Sequence, residues 1–308
     1  MCRPFASLSS ACAFLLATAA SATTLVVTPT TDGTTLATAL GGGGGLTINS
    51  ASVTNGAASQ IGTYTGFTSP PVTIGDGVVL STGRAIDTTA DSYSFLNFPS
   101  TNTGASGTPE FDAYGPGHIA SFGDSNDVAA LMVTFTLSSD SQVGFDFIFG
   151  SVEYPTFIGS FTDSFLAFLD GTAVGDQSVF DGSNHAVQVG STFSSALTTA
   201  DTNSAFEDPH GLLQLRTFTN TLSAGSHTIL FEVGDVNDHI LDSAVFISNL
   251  HAGPGDPGTD STVPEPGTLE LFGAGLACLG AGRRRRAICR QAAPLIRFVF
   301  PESSAHVR

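Results

Sequence analysis

The stretch Leu131-Met132-Val133-Thr134-Phe135-Thr136-Leu137 places an apolar residue at every second position, with threonines at 134 and 136. The segment from Val143 to Phe149 repeats the pattern with one Val and three Phe. Successive side chains of a β-strand point to opposite faces, so each apolar set lies on one face of a sheet. These two stretches predict neighbouring strands that pack one face against a core.

Strand patterns continue over most of the chain, at 46–49, 51–54, 78–80, 165–169, 213–215, 229–233 and 244–247. One short helix is predicted over Thr34–Leu40, where the glycines at 41–45 end it. The composition includes 24 Phe and no Trp, so the core should consist of Phe, Leu and Val. The predicted fold class is all-β: an antiparallel β-sandwich of jelly-roll type, with an N-terminal signal peptide and a short C-terminal apolar helix.

The segment from Asp87 to Asn126 lacks sustained periodicity and is rich in Ser, Thr, Gly, Asp and Pro. It is interpreted as a long surface loop. An exposed aromatic strip on this loop would favour binding of a glycan or another surface polymer. The candidates for that strip are Tyr93, Phe95, Phe98, Phe111 and Tyr114.

The N-terminus has the features of a secretory signal peptide. Arg3 precedes a short apolar region at 11–17, and Ala20-Ser21-Ala22 forms a small-residue cleavage site, which predicts cleavage after Ala22 and export through the Sec translocon. The four cysteines, at 2, 12, 278 and 289, all lie outside residues 23–262. The body of the chain therefore has neither a disulfide framework nor a thiolate metal site.

The body is strongly acidic. Residues 23–266 contain 25 Asp and Glu, two Arg and no Lys, whereas the whole chain has a net charge of −17. Such a body repels nucleic acid and anionic membrane surfaces, and it attracts divalent cations. Nucleic acid is therefore not an expected partner.

A motif of three parts lies near the C-terminus: Val263-Pro264-Glu265-Pro266, an apolar run over 269–282, and the basic cluster Arg283, Arg284, Arg285 and Arg286. The apolar run is shorter than the roughly 20 residues that span a bilayer. The arginines favour a cytoplasmic position. The order of the three parts resembles the PEP-CTERM sorting signal of Gram-negative bacteria.

That resemblance implies an exosortase as partner, a transient inner-membrane intermediate, and delivery to the cell surface or extracellular matrix. The chain departs from the pattern at Glu270, within the apolar run, and in the 22 residues after the arginines. The predicted organisation follows from these boundaries. It comprises a signal peptide (1–22), a sandwich domain (23–252), a flexible linker (253–262), the sorting signal (263–286) and an atypical tail (287–308).

The body resembles the choice-of-anchor L domain, a module found with several alternative surface anchors. Four ordered blocks carry the resemblance: 75–83, 127–131, 145–155 and 234–247, which read GDGVVLSTG, DVAAL, FDFIFGSVEYP and GDVNDHILDSAVFI. The resemblance implies a surface location and gives no reaction.

Two acidic motifs follow predicted strands, one around Glu153 and Asp163 and one over 235–242. Calcium takes six to eight oxygen ligands, so these carboxylates predict a calcium site. The hypothetical ligands are Glu153, Asp163, Asp235, Asp238 and Asp242. The alternative interpretation is that these carboxylates cap turns by accepting backbone N–H groups.

A third interpretation pairs Glu153 with an Asp for glycoside hydrolysis. The spacing does not establish the separation that this chemistry needs, and no serine has the flanking glycines of a nucleophile elbow. The histidines are scattered, and His239 has the best position for a function. The sequence thus predicts a structural or adhesive surface protein that contacts exopolysaccharide and has no enzymatic activity. A polymer-binding module is the second hypothesis and a hydrolase the third.

Overall fold

The computed structural model of the chain describes residues 24–68, 74–89, 99–181, 185–190, 202–206, 211–218 (backbone only) and 221–253. The predicted signal peptide with Ala20 and Ala22, the sorting signal, the tail, Tyr93, Phe95 and Phe98 lie outside these residues, as does nearly all of the linker. Within the described part, no helix is long and apolar enough to cross a membrane.

The described strands form two antiparallel sheets. The six-stranded sheet has the order β1 (Val26–Pro29), β3 (Ile61–Thr65), β4 (Gly77–Ser81), β11 (Ser243–Ala252), β6 (Val143–Ser151), β9 (Gly211–Phe218). The five-stranded sheet has the order β2 (Leu46–Asn55), β5 (Ser125–Leu137), β10 (Gly225–Val236), β7 (Ser164–Leu169), β8 (Val187–Gln188). The prediction of an all-β sandwich is confirmed.

The main core lies between the two sheets and is built largely of phenylalanine. Phe145 and Phe147 of β6 face Phe231 of β10 and Phe165 of β7. The ring centroids are 4.9 Å apart for both Phe145–Phe231 and Phe147–Phe165. Such tilted and edge-to-face pairs add about 0.5–1.5 kcal/mol each to the gain from burial. The period of two seen in the sequence therefore selects the residues that join the sheets.

Each sheet also carries an apolar cluster on its outer face. On the six-stranded sheet this cluster includes Tyr64 and Phe246, whose rings meet edge to face at 5.1 Å. On the five-stranded sheet it includes Phe111, Leu166 and Leu230. Central strands are therefore buried on both faces, and all nine residues of β6 are buried.

The helix α1 (Gly33–Leu40) agrees with the predicted helix to within one residue. The Asp32 side chain caps it by accepting the N–H of Thr35 at 2.7 Å. Leu36 and Leu40, four residues apart, lie on one side of the helix and join the main core. The helix ends at Gly41, whose φ of 94° favours glycine.

The predicted surface loop is only partly a loop. It contains the helix α2 (Pro109–Tyr114), capped by the Thr108 hydroxyl, which accepts the N–H of Phe111 at 3.3 Å. β5 also begins inside the predicted loop, at Ser125. Phe111 is 0% exposed and Tyr114 is 2% exposed, so the prediction that they belong to an exposed aromatic strip is wrong. The outer face of the five-stranded sheet is apolar, and these two rings cover it.

Two further differences concern strands. The stretches 46–49 and 51–54 form one strand, β2, which continues through register shifts against β5 at Ile48/Ser50 and Val53/Asn55. The strands β1 and β3 were not predicted. They lie at one end of the six-stranded sheet, where neither shows a long apolar alternation.

Replacement of Phe111 by Ala should lower the free energy of unfolding by about 3–5 kcal/mol, since it removes a fully buried ring and leaves a cavity. The matched control is Phe157→Ala, because Phe157 is 36% exposed, and it should change that free energy by less than about 1.5 kcal/mol. Urea unfolding of the full chain measures both. Equal losses for the two variants would contradict the placement of Phe111 in the core.

Candidate functional site: a buried acidic layer

The inward-facing positions of the five-stranded sheet change from apolar to acidic at one end. On β10, Phe231 and Val233 belong to the main core, and Asp235 occupies the next inward position. On the adjacent β7, Phe165 belongs to the core, and Asp163 lies two residues before it. β10 ends and β7 begins at this edge, because the strands are antiparallel. The two carboxylates therefore lie side by side.

The six-stranded sheet contributes polar residues at the same end. Thr82 directly follows β4, Ser243 begins β11, and Glu153 lies two residues beyond the end of β6. Asp242 immediately precedes β11. We define the acidic layer as the four carboxylates Glu153, Asp163, Asp235 and Asp242, which are all no more than 2% exposed.

Asp163 joins the two sheets through hydrogen bonds. Its Oδ2 accepts the hydroxyl of Ser243 at 2.7 Å, and its Oδ1 accepts the N–H of Val236 at 3.1 Å. The N–H of Asp163 lies 3.5 Å from Oε2 of Glu153, at the limit of a hydrogen bond. Asp163 is therefore a partnered carboxylate at the centre of the layer.

The other three members of the layer have oxygens that lack a partner. Both carboxylate oxygens of Asp235 are buried and accept no hydrogen bond within 3.5 Å, and the same holds for Oε1 of Glu153 and Oδ2 of Asp242. Leaving a buried polar group without a partner costs about 1–3 kcal/mol, and more when the group is charged. Four such oxygens at one end of the core are a destabilising arrangement as long as the carboxylates are charged and unbound.

The pKa values of the layer reflect this burial. Burial raises the pKa of Glu153 to about 10, and repulsion from Asp163 adds to the effect. Burial also raises the pKa of Asp163 to about 7, although the Ser243 hydroxyl opposes the shift. The pKa of Asp235 lies well above its usual value because of burial and repulsion from Asp163, with a lowering influence from the Thr82 hydroxyl.

Asp242 connects the layer to the segment that follows β4. Its Oδ1 accepts the N–H of Thr101 at 2.7 Å, and burial raises its pKa to about 7. A Cβ on Gly83 would lie 1.7 Å from Oδ2 of Asp242, so only glycine fits there. The next residue, Arg84, donates hydrogen bonds from its guanidinium group to both carboxylate oxygens of Asp87, at 2.7 and 2.8 Å.

The sequence-predicted residues thus divide into two groups. Glu153, Asp163, Asp235 and Asp242 come together, whereas Asp238 is half-buried in the loop after β10, where its Oδ1 accepts the N–H of Ile240 at 3.3 Å. Asp238 still influences the layer, because its charge raises the pKa of Glu153. Asp235, expected to follow the strand predicted at 229–233, lies within β10, which continues to Val236.

His239, singled out in the sequence, pairs with a carboxylate outside the layer. Its Nδ1 lies 3.2 Å from Oδ2 of Asp127, which is fully buried at the start of β5. The other oxygen of Asp127 accepts the Thr103 hydroxyl at 2.6 Å and the N–H of Ala105 at 2.9 Å. Asp127 is therefore an anchor for the surrounding loops.

The layer offers oxygen donors alone, which suit hard cations such as calcium. Among the described residues, no three His, Cys, Asp or Glu side chains already surround one point as a preformed metal site. Cation binding would therefore require side-chain rotation and further donors such as the hydroxyls of Thr82 and Ser243. The glycosidase interpretation gains no support, since Glu153 is 0% exposed and a polymer cannot contact it.

Three residues of this region were missed by sequence reasoning: Thr82, Ser243 and Asp127. The sequence does contain a pattern that could have identified the first two. Thr82 is the next inward-facing position after Val78 and Leu80, and Ser243 is the inward-facing position before Val245 and Ile247. Asp127 lies beside a register shift, where two residues of β5 face one of β10, and alternation does not extend through it.

The comparisons with known proteins agree with this architecture. The model of the choice-of-anchor L domain matches residues 26–250, almost the whole sandwich. The chain belongs to the choice-of-anchor L family. A second model, the PEP-CTERM protein-sorting motif, matches residues 262–286. This choice-of-anchor L protein is therefore exported and sorted through an exosortase.

No curated protein matches the chain. A solved structure with some likeness is a carbohydrate-binding module specific for non-crystalline cellulose. It shares 11% identity, with 55% of this chain and 93% of that chain covered, and a TM-score of 0.19. A similarity this low carries no argument about the choice-of-anchor L protein.

Another buried carboxyl outside the acidic layer, Glu232 of β10, allows a test of how the fold responds to pH. It faces the outer side of the five-stranded sheet near α2, is 1% exposed, and has an unpartnered Oε2. Burial raises its pKa to about 8. Between about pH 4.5 and 8 the folded state therefore holds a proton that the unfolded chain has released, so stability falls as pH rises.

Glu232→Gln should remove this contribution. With a chelator present, the free energy of unfolding of the parent chain should fall with rising pH, and the slope should be shallower in Glu232→Gln by up to about 1.4 kcal/mol per pH unit. Urea unfolding at pH 5, 6, 7 and 8 measures the slopes. The control Asp32→Asn removes an exposed cap whose pKa is lowered by Thr35, so it should leave the slope in this range unchanged. An unchanged slope in Glu232→Gln would refute the assignment.

Proposed function

We propose that the chain is a structural or adhesive protein of the bacterial cell surface or extracellular matrix, and that calcium bound at the acidic layer stabilises its sandwich. The family and the sorting motif supply export and exosortase sorting. The observation that carries the calcium proposal is Asp235, a fully buried carboxylate whose two oxygens accept no hydrogen bond within 3.5 Å.

A divalent cation would offset the two factors that raise these pKa values, burial and mutual repulsion. Calcium suits the layer better than magnesium, because it accepts irregular sets of six to eight oxygens whereas magnesium demands near-ideal octahedral geometry. Glu153, Asp163, Asp235 and Asp242 would be ligands, with Asp238 at the periphery. The extracellular location of the body is compatible with millimolar-range sites.

The alternative for the same carboxylates is protonation, with Asp163 in a purely structural role. It predicts a sandwich that is insensitive to calcium. Polymer binding through an exposed aromatic strip cannot involve Phe111 and Tyr114, because both are buried in the core. The Sec translocon, an inner-membrane intermediate in a Gram-negative cell and contact with exopolysaccharide remain part of the proposal.

Calcium should raise the thermal stability of the full chain at pH 7.5. Binding to the native state alone contributes about 2.7 kcal/mol at a hundredfold excess over Kd, which corresponds to roughly 5–10 °C in Tm for a domain of this size. Scanning calorimetry in mild detergent, with calcium, magnesium or a chelator, measures the shift. Magnesium should give a clearly smaller shift.

Asp235→Asn should abolish the calcium response and leave Tm in chelator equal or higher, because it replaces a buried unpaired carboxylate by a neutral amide. The control Asp140→Asn changes an exposed Asp that accepts the N–H of Ala224, and it should keep the response. Failure of calcium to raise Tm in the parent chain would refute calcium binding, and a full response in Asp235→Asn would refute this site.

Glu265→Ala should block sorting in a host that contains the exosortase. The parent chain should appear as a shortened form in the surface or culture fraction, whereas the variant should remain at full length in the inner-membrane fraction. Immunoblotting of cell fractions measures this. The control Asp260→Ala changes an acidic residue five positions earlier and should be sorted normally; normal sorting of Glu265→Ala would show that the motif is not read.

A further inference from the structure

A cavity of about 310 Å³ opens on the outer side of the five-stranded sheet, and none of the acidic-layer carboxylates lines it. It lies between the end of α2 and the segment after β7, which contains a 3-10 turn at Val174–Asp176. Its inner wall includes Tyr114 and Ala186, both members of the outer apolar cluster. The volume is at the lower end of the range for small-molecule sites, about 300–1,000 Å³.

One wall of the cavity is a stack of two rings held in place. Tyr114 meets Phe168 edge to face at 6.2 Å, and His118 stacks on Tyr114 at 4.5 Å with an interplanar angle of 28°. Nδ1 of His118 lies 2.9 Å from the carbonyl oxygen of Tyr114, which can only accept, so Nδ1 carries the proton. In the neutral ring, Nε2 is then an acceptor for a ligand hydroxyl.

The opposite wall is also fixed. The N–H of His185 donates to Oδ1 of Asp181 at 2.8 Å, and the N–H of Asp181 donates to the carbonyl of His185 at 2.8 Å. The His185 side chain is 64% exposed. Phe180 and Val174 complete this wall, and Val174 is one of the large apolar side chains that the described surface exposes.

The chemistry of the cavity selects a neutral ligand with apolar faces and hydroxyl groups. No Asp, Glu, Lys or Arg occurs among the described residues that line it, whereas rings and imidazoles are abundant. The side-chain amide of Gln177 accepts the N–H of Ala167 and donates to the carbonyl of Val179. Its polar atoms therefore hold the cavity wall together. An anionic polymer would be repelled by the acidic body around the cavity.

We propose that this cavity binds one sugar ring of a neutral glycan, with the ring's C–H face against the partly exposed Phe180 and its hydroxyls near His118 and His185. Tyr114, which is 2% exposed, supports the His118 ring and does not itself meet the sugar. The site is separate from the acidic layer, and its existence does not depend on calcium. It would give the surface protein a direct contact with a polysaccharide.

Two glycines line the cavity, and one of them provides a test. A Cβ on either Gly117 or Gly175 would meet no atom within 4 Å. Gly117 has a φ of 80°, which would strain any other residue, whereas Gly175 is outside the left-handed region. Because Gly175 lines the cavity, the bulk added by Gly175→Phe should obstruct it without backbone strain. Gly43, in the turn between α1 and β2, has the same open surroundings and also lies outside the left-handed region, so Gly43→Phe is the matched control.

The experiment is native electrophoresis of the full chain through gels that contain a neutral polysaccharide (β-glucan, xylan or galactomannan) or the anionic polymer alginate. The detergent must carry no sugar headgroup, because such a headgroup could occupy the cavity. At least one neutral polysaccharide should retard the parent chain, and alginate should not. Calorimetric titration with hexasaccharides of the retarding polymer then gives Kd.

Gly175→Phe should raise Kd at least about tenfold with an unchanged Tm, and Gly43→Phe should bind as the parent does. His118→Ala should weaken binding by a similar factor, whereas His251→Ala, at a half-buried histidine on β11 that does not line the cavity, should not. Retardation by none of the neutral polymers, equal retardation by alginate, or parent-like binding by Gly175→Phe would each overturn the proposal.

Discussion

The hydroxyl of Ser243 donates to Asp163 across the gap between the two sheets, at 2.7 Å. This bond lies where the phenylalanine core ends, and the rest of the acidic layer surrounds it. A core made of Phe and Val would expose its last layer to water if it ended without polar groups. In this protein the inward positions become acidic, and their charges face one another with little water to screen them. The stability of that end of the sandwich therefore depends on what neutralises the carboxylates, whether protons or a bound cation.

The outer faces explain why the long Ser- and Gly-rich segment after β4 does not behave as a loop throughout. A sheet that is apolar on both faces needs cover on both. Phe111 and Tyr114 provide that cover for the five-stranded sheet, and Thr108 starts the short helix that carries them. A cavity remains beside Tyr114. It is lined by His118, by the turn at 174–176 and by Gly117 and Gly175, which have no side chains to fill it. A structural element of the fold thus also shapes a surface that a ligand can occupy.

Export and body chemistry are consistent with each other. A chain sorted by an exosortase works outside the cell, and a body with 25 Asp and Glu against two Arg carries a charge that repels other anionic polymers. Like charges on the body repel one another between copies. Contact with an anionic partner is then unfavourable, and a neutral ligand would need a locally uncharged site. The cavity lined by imidazoles and rings is the site of this type that we propose, whereas the buried acidic layer can act only within the fold.

The sequence by itself determined the sandwich, because a period of two in residues such as Leu131, Val133 and Phe135 can bury one side of a strand and no side of a helix. It also determined α1, because Asp32 caps its start and the glycines from Gly41 end it. The sequence further identified Glu153, Asp163, Asp235 and Asp242 as acidic residues at or near strand ends. Only the tertiary structure decided that these four share one buried layer, that Asp238 stays outside it, and that Thr82 and Ser243 join it. The reason is that alternation fixes the face of a residue but not its partner. Which strand ends meet is set by the pairing of strands distant in sequence, such as β6 with β11 and β7 with β10.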